Sequence, residues 1–153
     1  MLYALALIIG IVAGLRAMTA PAAIAWAAWL GWLPLGDTWA WFMGHWIAVA
    51  IFTIAAIAEL VTDQLPSTPS RKVPQQFGAR LVSGALSGAC IGAVAGVTVG
   101  GLIAGVVGAV IGTYGGAELR GRLAKSFGKD LPAAIVEDVV AIVVAALVVS
   151  AVL

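Results

Sequence analysis

From position 81 to 117 the chain runs 37 residues without an Asp, Glu, Lys, Arg or His. Three further apolar blocks, 2–33, 39–62 and 133–153, are set off by short polar segments. As one helix the 81–117 block would be about 55 Å long, against a hydrocarbon core of about 30 Å, so it must fold back. Val97-Thr98-Val99-Gly100-Gly101 is the predicted turn, giving an antiparallel hairpin of spans 79–96 and 102–117. Glycine recurs along it at Gly84, Gly88, Gly92 and Gly96, and again at Gly105, Gly108 and Gly112. In lipid, small residues at such spacing let helix backbones approach closely, so this is read as a glycine-zipper packing face.

The first block is the irregular one. Its 32 residues are too many for one straight span and too few for two full ones. Gly14-Leu15-Arg16 and Thr19-Ala20-Pro21 interrupt it. Proline removes a backbone donor and clashes with the preceding turn. The block therefore predicts a broken helix, or two short helices meeting near Arg16. At membrane depth such a break must be buried in protein or line a watery cavity. Pro34-Leu35-Gly36-Asp37 reads as a turn, with Asp37 or Thr38 capping the span that follows. Asp130-Leu131-Pro132 opens the last span. The expectation is an all-α polytopic membrane protein, one transmembrane domain over 1–153, with five spans including a broken first helix, or six.

Composition agrees with this pattern. Hydrophobic residues make up 63% and charged residues 10% of the 153, far from the roughly 45–50% and 25% of soluble domains. A net charge of +1 leaves no basic stripe for nucleic acid. The lone Cys90 cannot form an internal disulfide. The first 20 residues resemble a secretory signal but lack its positive start, and they are expected to be retained. All six tryptophans lie between Trp26 and Trp46, which reads as an interfacial belt rather than an aromatic ligand box. Seven of the eight lysines and arginines fall in 71–80 and 120–129. The positive-inside rule then puts loops 64–80 and 118–130 in the cytoplasm and the tryptophan turn and C-terminus outside, with the N-terminal side undecided.

Candidate chemistry rests on a few ionisable groups. Arg16 is embedded in apolar sequence, Glu59 and Asp63 share a helix face, and Arg80 and Glu118 bracket the hairpin. Glu137 and Asp138 enter the last helix side by side, about 100° apart, which predicts that they cannot both face one partner. A charge at the centre of a membrane helix costs about 2.5–3.5 kcal/mol, so such groups face the interior, pair, or line a path. Arg16, Glu59, Asp63, Arg80, Glu137 and Asp138 are therefore the candidate solute or ion path. Glu59, Asp63, Arg80 and Glu118 read more simply as interfacial residues at helix ends, Arg16 and Glu137 more readily as functional or paired groups because they sit deeper, and the lone His45 as structural. No histidine or cysteine pair offers zinc spacing, no Gly-Lys-Ser/Thr follows the glycines, and no nucleophile–base constellation is apparent, so no enzyme, metal or cofactor is expected. Short echoes, such as Pro21-Ala-Ala-Ile24 and Pro132-Ala-Ala-Ile135, read either as an internal duplication, as in small transporters, or, the favoured reading, as chance recurrence in alanine-rich helices.

The chain resembles a bacterial membrane family catalogued as domain of unknown function 4126. The resemblance rests on Gly14-Leu15-Arg16 before a proline, Glu59-Leu-Val-Thr-Asp63-Gln-Leu-Pro66, Arg80 opening a glycine-rich hairpin, and Glu137-Asp138. It implies a bacterial inner-membrane protein in which those charged residues form one unit, and it implies no activity. Two functions follow as expectations. One is a small transporter or channel for a polar or ionic solute. The other is an assembly protein that works through its glycine surfaces. The expected partners are the bilayer and a second copy of the chain in a homodimer.

Overall fold

The structure, a computed structural model, describes residues 1–62 and 74–152. Among these residues every regular element is helical: α1 Leu2–Leu15, α2 Thr19–Trp29, α3 Trp46–Thr62, α4 Pro74–Ala93, α5 Thr98–Phe127 and α6 Asp130–Ala151, with one 3-10 turn at Trp41–Gly44. Two helices, Thr98–Phe127 and Leu131–Ala151, are long and apolar enough to cross a membrane, and Leu2–Leu15 and Trp46–Thr62 are shorter apolar helices.

Glycine dictates how α1, α4 and α5 meet. A Cβ built on Gly84 would lie 2.6 Å from the Gly105 carbonyl oxygen, and one on Gly105 would overlap the Gly84 carbonyl. Gly88 and Gly92 oppose Gly101 in the same way. The other side of α5 takes α1: Gly108 and Gly112 lie against the backbone of Leu7 and Ile11, and Gly10 against Gly105. Backbone therefore rests on backbone across three helices of one chain. α1 runs parallel to α5, since Tyr3 meets Gly100 and Gly14 meets Ala109 and Thr113.

The remaining helices follow from side-chain pairs. Glu59 reaches the start of α2 while Thr53 accepts a hydrogen bond from Trp26 further along it, so α2 and α3 are antiparallel. Arg16 meets Glu137 and Asp138 near the start of α6. Successive helices thus alternate in direction. The start of α1, the tryptophan turn, the α4–α5 turn and the end of α6 all gather at one end. Trp39 Nε1 donates to Thr98 Oγ1 (3.2 Å) at that end. α1 and α2 form a hairpin with legs of about 21 and 16 Å, shorter than the roughly 30 Å hydrocarbon core.

Several boundaries differ from the sequence expectation. The hairpin turn comes earlier, before Thr98, because Gly96, and not Gly100 or Gly101, adopts a left-handed φ, 73°. Gly96 is therefore a turn residue rather than a packing residue, and a Cβ there would meet nothing within 4 Å. Thr98 to Gly101 instead begin α5. The expected loop 118–130 is helical to Phe127 and stops at Gly128, whose φ is 74°. α4 already begins at Pro74, a residue that suits a first turn. α3 starts at Trp46 rather than at 39; His45 precedes it and accepts the Ile47 amide on Nδ1 (3.2 Å). Thr38 closes the tryptophan turn instead, donating to the Leu35 carbonyl (2.8 Å).

Large apolar side chains point outward. Ile47, Ile51, Ile54, Ile57 and Val61 form an exposed stripe on α3, and Ile135, Val139, Ile142 and Leu147 are exposed on α6. Small residues fill the contacts within, such as Ala133, Ala134, Ala141 and Ala145 of α6. Larger side chains such as Ile9, Ile24, Leu33 and Met43 are buried too, but so many exposed apolar side chains are unusual for a water-soluble helical domain.

The glycine contacts make a stability prediction. Gly105→Ala should lower the melting temperature of the purified protein, since overpacking against immovable backbone costs about 1–3 kcal/mol. Gly78→Ala on α4, with nothing within 4 Å of the added methyl, should raise it slightly through helix propensity. Thermal unfolding of the two variants in detergent checks this, and a Gly105→Ala protein as stable as the parent contradicts it.

Candidate functional site

The α1–α2 hairpin turns at Arg16-Ala17-Met18, and the local sequence dictates how. In a continuous helix the amide of residue 21 would close on the carbonyl of residue 17, but Pro21 has none. The Ala17 carbonyl accepts instead from the Ser83 hydroxyl of α4. Arg16 leaves helical geometry, with φ −141° and ψ 112°, while its own amide still closes on Val12 (2.8 Å). The next two amides lose their helical acceptors. Both donate to Glu59 of α3, Ala17 to Oε2 (2.9 Å) and Met18 to Oε1 (3.0 Å). One carboxylate thus satisfies the start of α2, where the helix dipole also favours negative charge.

The Arg16 side chain is fully buried and points into α6. Its Nε donates to Asp138 Oδ1 (2.6 Å) and its Nη1 to Glu137 Oε1 (2.7 Å) and to the Leu15 carbonyl (3.0 Å). Nη2 also contacts Asp138 Oδ1. The expectation that neighbouring carboxylates cannot share a partner is therefore wrong here. Two side chains 100° apart on a helix can be bridged by a guanidinium, whose fork offers donors along two edges. Glu137 and Asp138 are 7% and 8% exposed, so these contacts are made almost out of reach of solvent.

Two more arginines complete the group. Arg80 of α4 lies 3.8 Å from Glu59 Oε2, and Arg120 of α5 lies 3.9 Å from Glu137 Oε1. The site thus brings together Arg16, Glu59, Arg80, Glu137 and Asp138 from the expected set. Asp63 lies outside the described residues. Glu118 stays apart: it pairs with Arg122 one turn along α5 (2.7 Å), both exposed. Arg120 and Ser83 were missed by sequence reasoning. Arg120 and Glu137 lie eight residues either side of Gly128-Lys129, so an antiparallel α5–α6 pair places them opposite one another. For Ser83 the signal is Pro21, which leaves a carbonyl in want of a donor.

Among the described residues the cluster holds three arginines against three carboxylates. Burying such charges is costly unless each is paired and hydrogen-bonded, and removing one partner strands the rest at about 3–5 kcal/mol. Beside the cluster, α2, α3 and α6 leave a groove of about 440 Å³ with walls that include Ala22, Trp26, Ala56, Leu60 and Ala145. Its lining is apolar apart from Thr19 and Thr53, so it offers little to a polar solute.

Glu59→Ala removes the acceptor of two part-buried amides and a carboxylate 3.8 Å from Arg80. The expected result is a large loss of stability, several kcal/mol, read as a fall in melting temperature or failure to accumulate. Glu118→Ala breaks only an exposed pair worth about 0.3–0.5 kcal/mol and should be nearly silent. Equal behaviour of the two variants would contradict the assigned geometry.

A scan against protein-family models finds no match to this chain, and neither a search of curated proteins nor one of solved structures finds any.

Proposed function

We propose that this chain is a small bacterial inner-membrane transporter or channel for a polar or ionic solute, in which Arg16, Glu59, Asp63, Arg80, Glu137 and Asp138 belong to the path. The observation that carries the reading is the buried charge cluster at the tip of a helical hairpin too short to span the bilayer. Broken helices that meet at membrane depth are how secondary transporters present backbone and charge to a solute. All six helices would then cross or enter the membrane, with α1–α2 as a re-entrant hairpin. The basic end of α5 faces the cytoplasm, and the start of α1 and the end of α6 face outward with the tryptophans.

One observation favours a second reading, a structural or assembly protein without transport. The three arginines and three carboxylates offset one another, as internal pairs that only hold helices together would. In that case the surface for a second copy is not the glycine face, whose contacts lie within the chain. It would be the exposed apolar stripe of α3 or α6.

Flux separates the two. Proteoliposomes holding a pH-sensitive dye, challenged in turn with proton, sodium and chloride gradients, should show protein-dependent flux. Glu137→Gln should lower it at least tenfold, equivalent to about 1.4 kcal/mol in the barrier, with Glu118→Gln unchanged. Unaltered flux in folded Glu137→Gln would remove Glu137 from the path. For topology, cysteines are placed in a Cys90→Ala background. Asp37→Cys and Ser150→Cys should react with an impermeant maleimide on intact cells, and Lys125→Cys only after permeabilisation. The opposite pattern would invert the orientation.

A further inference from the structure

Three hydroxyls around the hairpin tip have no hydrogen-bond partner in the structure: Thr19 on α2, Ser87 on α4 and Thr113 on α5. They are buried, at 8%, 0% and 0% exposure. Each stands close to the break. Thr19 follows Ala17 by two residues. Ser87 lies one turn along α4 from Ser83, which holds the Ala17 carbonyl. Thr113 packs against Gly14, where an added Cβ would lie 2.5 Å from the Thr113 amide nitrogen. Among the described residues the one other buried hydroxyl, that of Ser83, is satisfied. A buried polar group without a partner loses its hydration for nothing in return, so three around one turn of chain call for a common explanation.

The break supplies further polar groups. With the Ala17 and Met18 amides turned to Glu59, the carbonyls of Ala13 and Gly14 have lost the donors a continuous helix would give them. Hydroxyls able to donate and accept thus stand beside carbonyls that only accept. A buried water makes two to four hydrogen bonds to such groups, and a mixed set of this kind meets its needs. In lipid, irregular backbone persists where it is buried in protein or borders water.

We propose that the tip of the α1–α2 hairpin is a hydrated chamber, with ordered water bound to Thr19, Ser87 and Thr113 and to the freed carbonyls of α1. This deepens the transport reading, on which its functional meaning rests, because it places water beside the cluster. Arg80, Ser83 and Ser87 lie at i, i+3 and i+7 on α4 and share one face. They carry a buried polar stripe from the cluster toward the tryptophan end.

Removal of an unpartnered hydroxyl from a dry interior stabilises, whereas removal of one that binds water does the reverse. Thr113→Val is close to isosteric. It should lower the melting temperature by about 2–4 °C, the shift that follows from about 1 kcal/mol in a chain of this size; an unchanged or raised value overturns the chamber at that site. Accessibility gives an independent reading. In a Cys90→Ala background reconstituted in liposomes, silver ion should block Ser87→Cys from later alkylation by N-ethylmaleimide in detergent. A Ser87→Cys thiol that remains fully alkylated after silver treatment overturns the proposal. Blocked thiols without any flux keep the chamber and remove transport, whereas flux with unblocked thiols keeps transport and removes the chamber.

Discussion

The structure depends on the satisfaction of one turn of chain, Arg16-Ala17-Met18, away from water. A helix that stops inside a protein exposes amides and carbonyls that must find partners. Here the partners are side chains from three other helices: Glu59 for the amides, Ser83 for a carbonyl, and Glu137 with Asp138 for the arginine that the turn carries. α3, α4 and α6 are thereby fixed relative to α1 and α2 by groups that cannot be exchanged for apolar ones. The tip sets the register of the whole bundle.

Such partners meet only if the helices come close, and glycine makes that possible. With Gly105 against Gly84 on one side and Gly10 on the other, α5 is wedged between α4 and α1 at backbone contact. That leaves short side chains such as Ser83 within reach of the Ala17 carbonyl. Bulkier residues at the zipper would push α4 away and take both Ser83 and Arg80 from the tip. Packing and polar satisfaction are in this sense one constraint, met by different residues on adjoining faces of α4.

Much of this was legible in the sequence. The break near Arg16 follows from Pro21 and the length of the first block, the glycine-packed hairpin from its spacing and length, and the convergence of Arg16, Glu59, Arg80, Glu137 and Asp138 from lone charges in apolar sequence. Such charges have few places to go. Boundaries were less legible. Several glycines competed for the role of turn, and only backbone geometry separates Gly96, with its left-handed φ, from Gly100 and Gly101, which pack. The helical reach of α5 to Phe127 was hidden because Arg120, Arg122 and Lys125 read as a loop by charge, although nothing breaks a helix before Gly128. The sharing of Arg16 by adjacent carboxylates was excluded by angular reasoning that treated the partner as a point. A guanidinium is a plate with donors along two edges, and its width spans the angle.

The tip is held together by cohesion of a different kind from that of the glycine-packed helices. Along α1, α4 and α5 the contacts are many, small and short-ranged, and they yield together or not at all. At the tip the turn hangs on a few strong directional bonds, each of a kind that water can also make. Cooperative local opening in proteins begins where backbone bonds are fewest and most replaceable. The tip meets that description while the glycine-packed trio does not. A movement that exposed the cluster would therefore begin by loosening Glu59 from the two amides. α5 would stay in place, held by backbone contacts that leave it no room to shift.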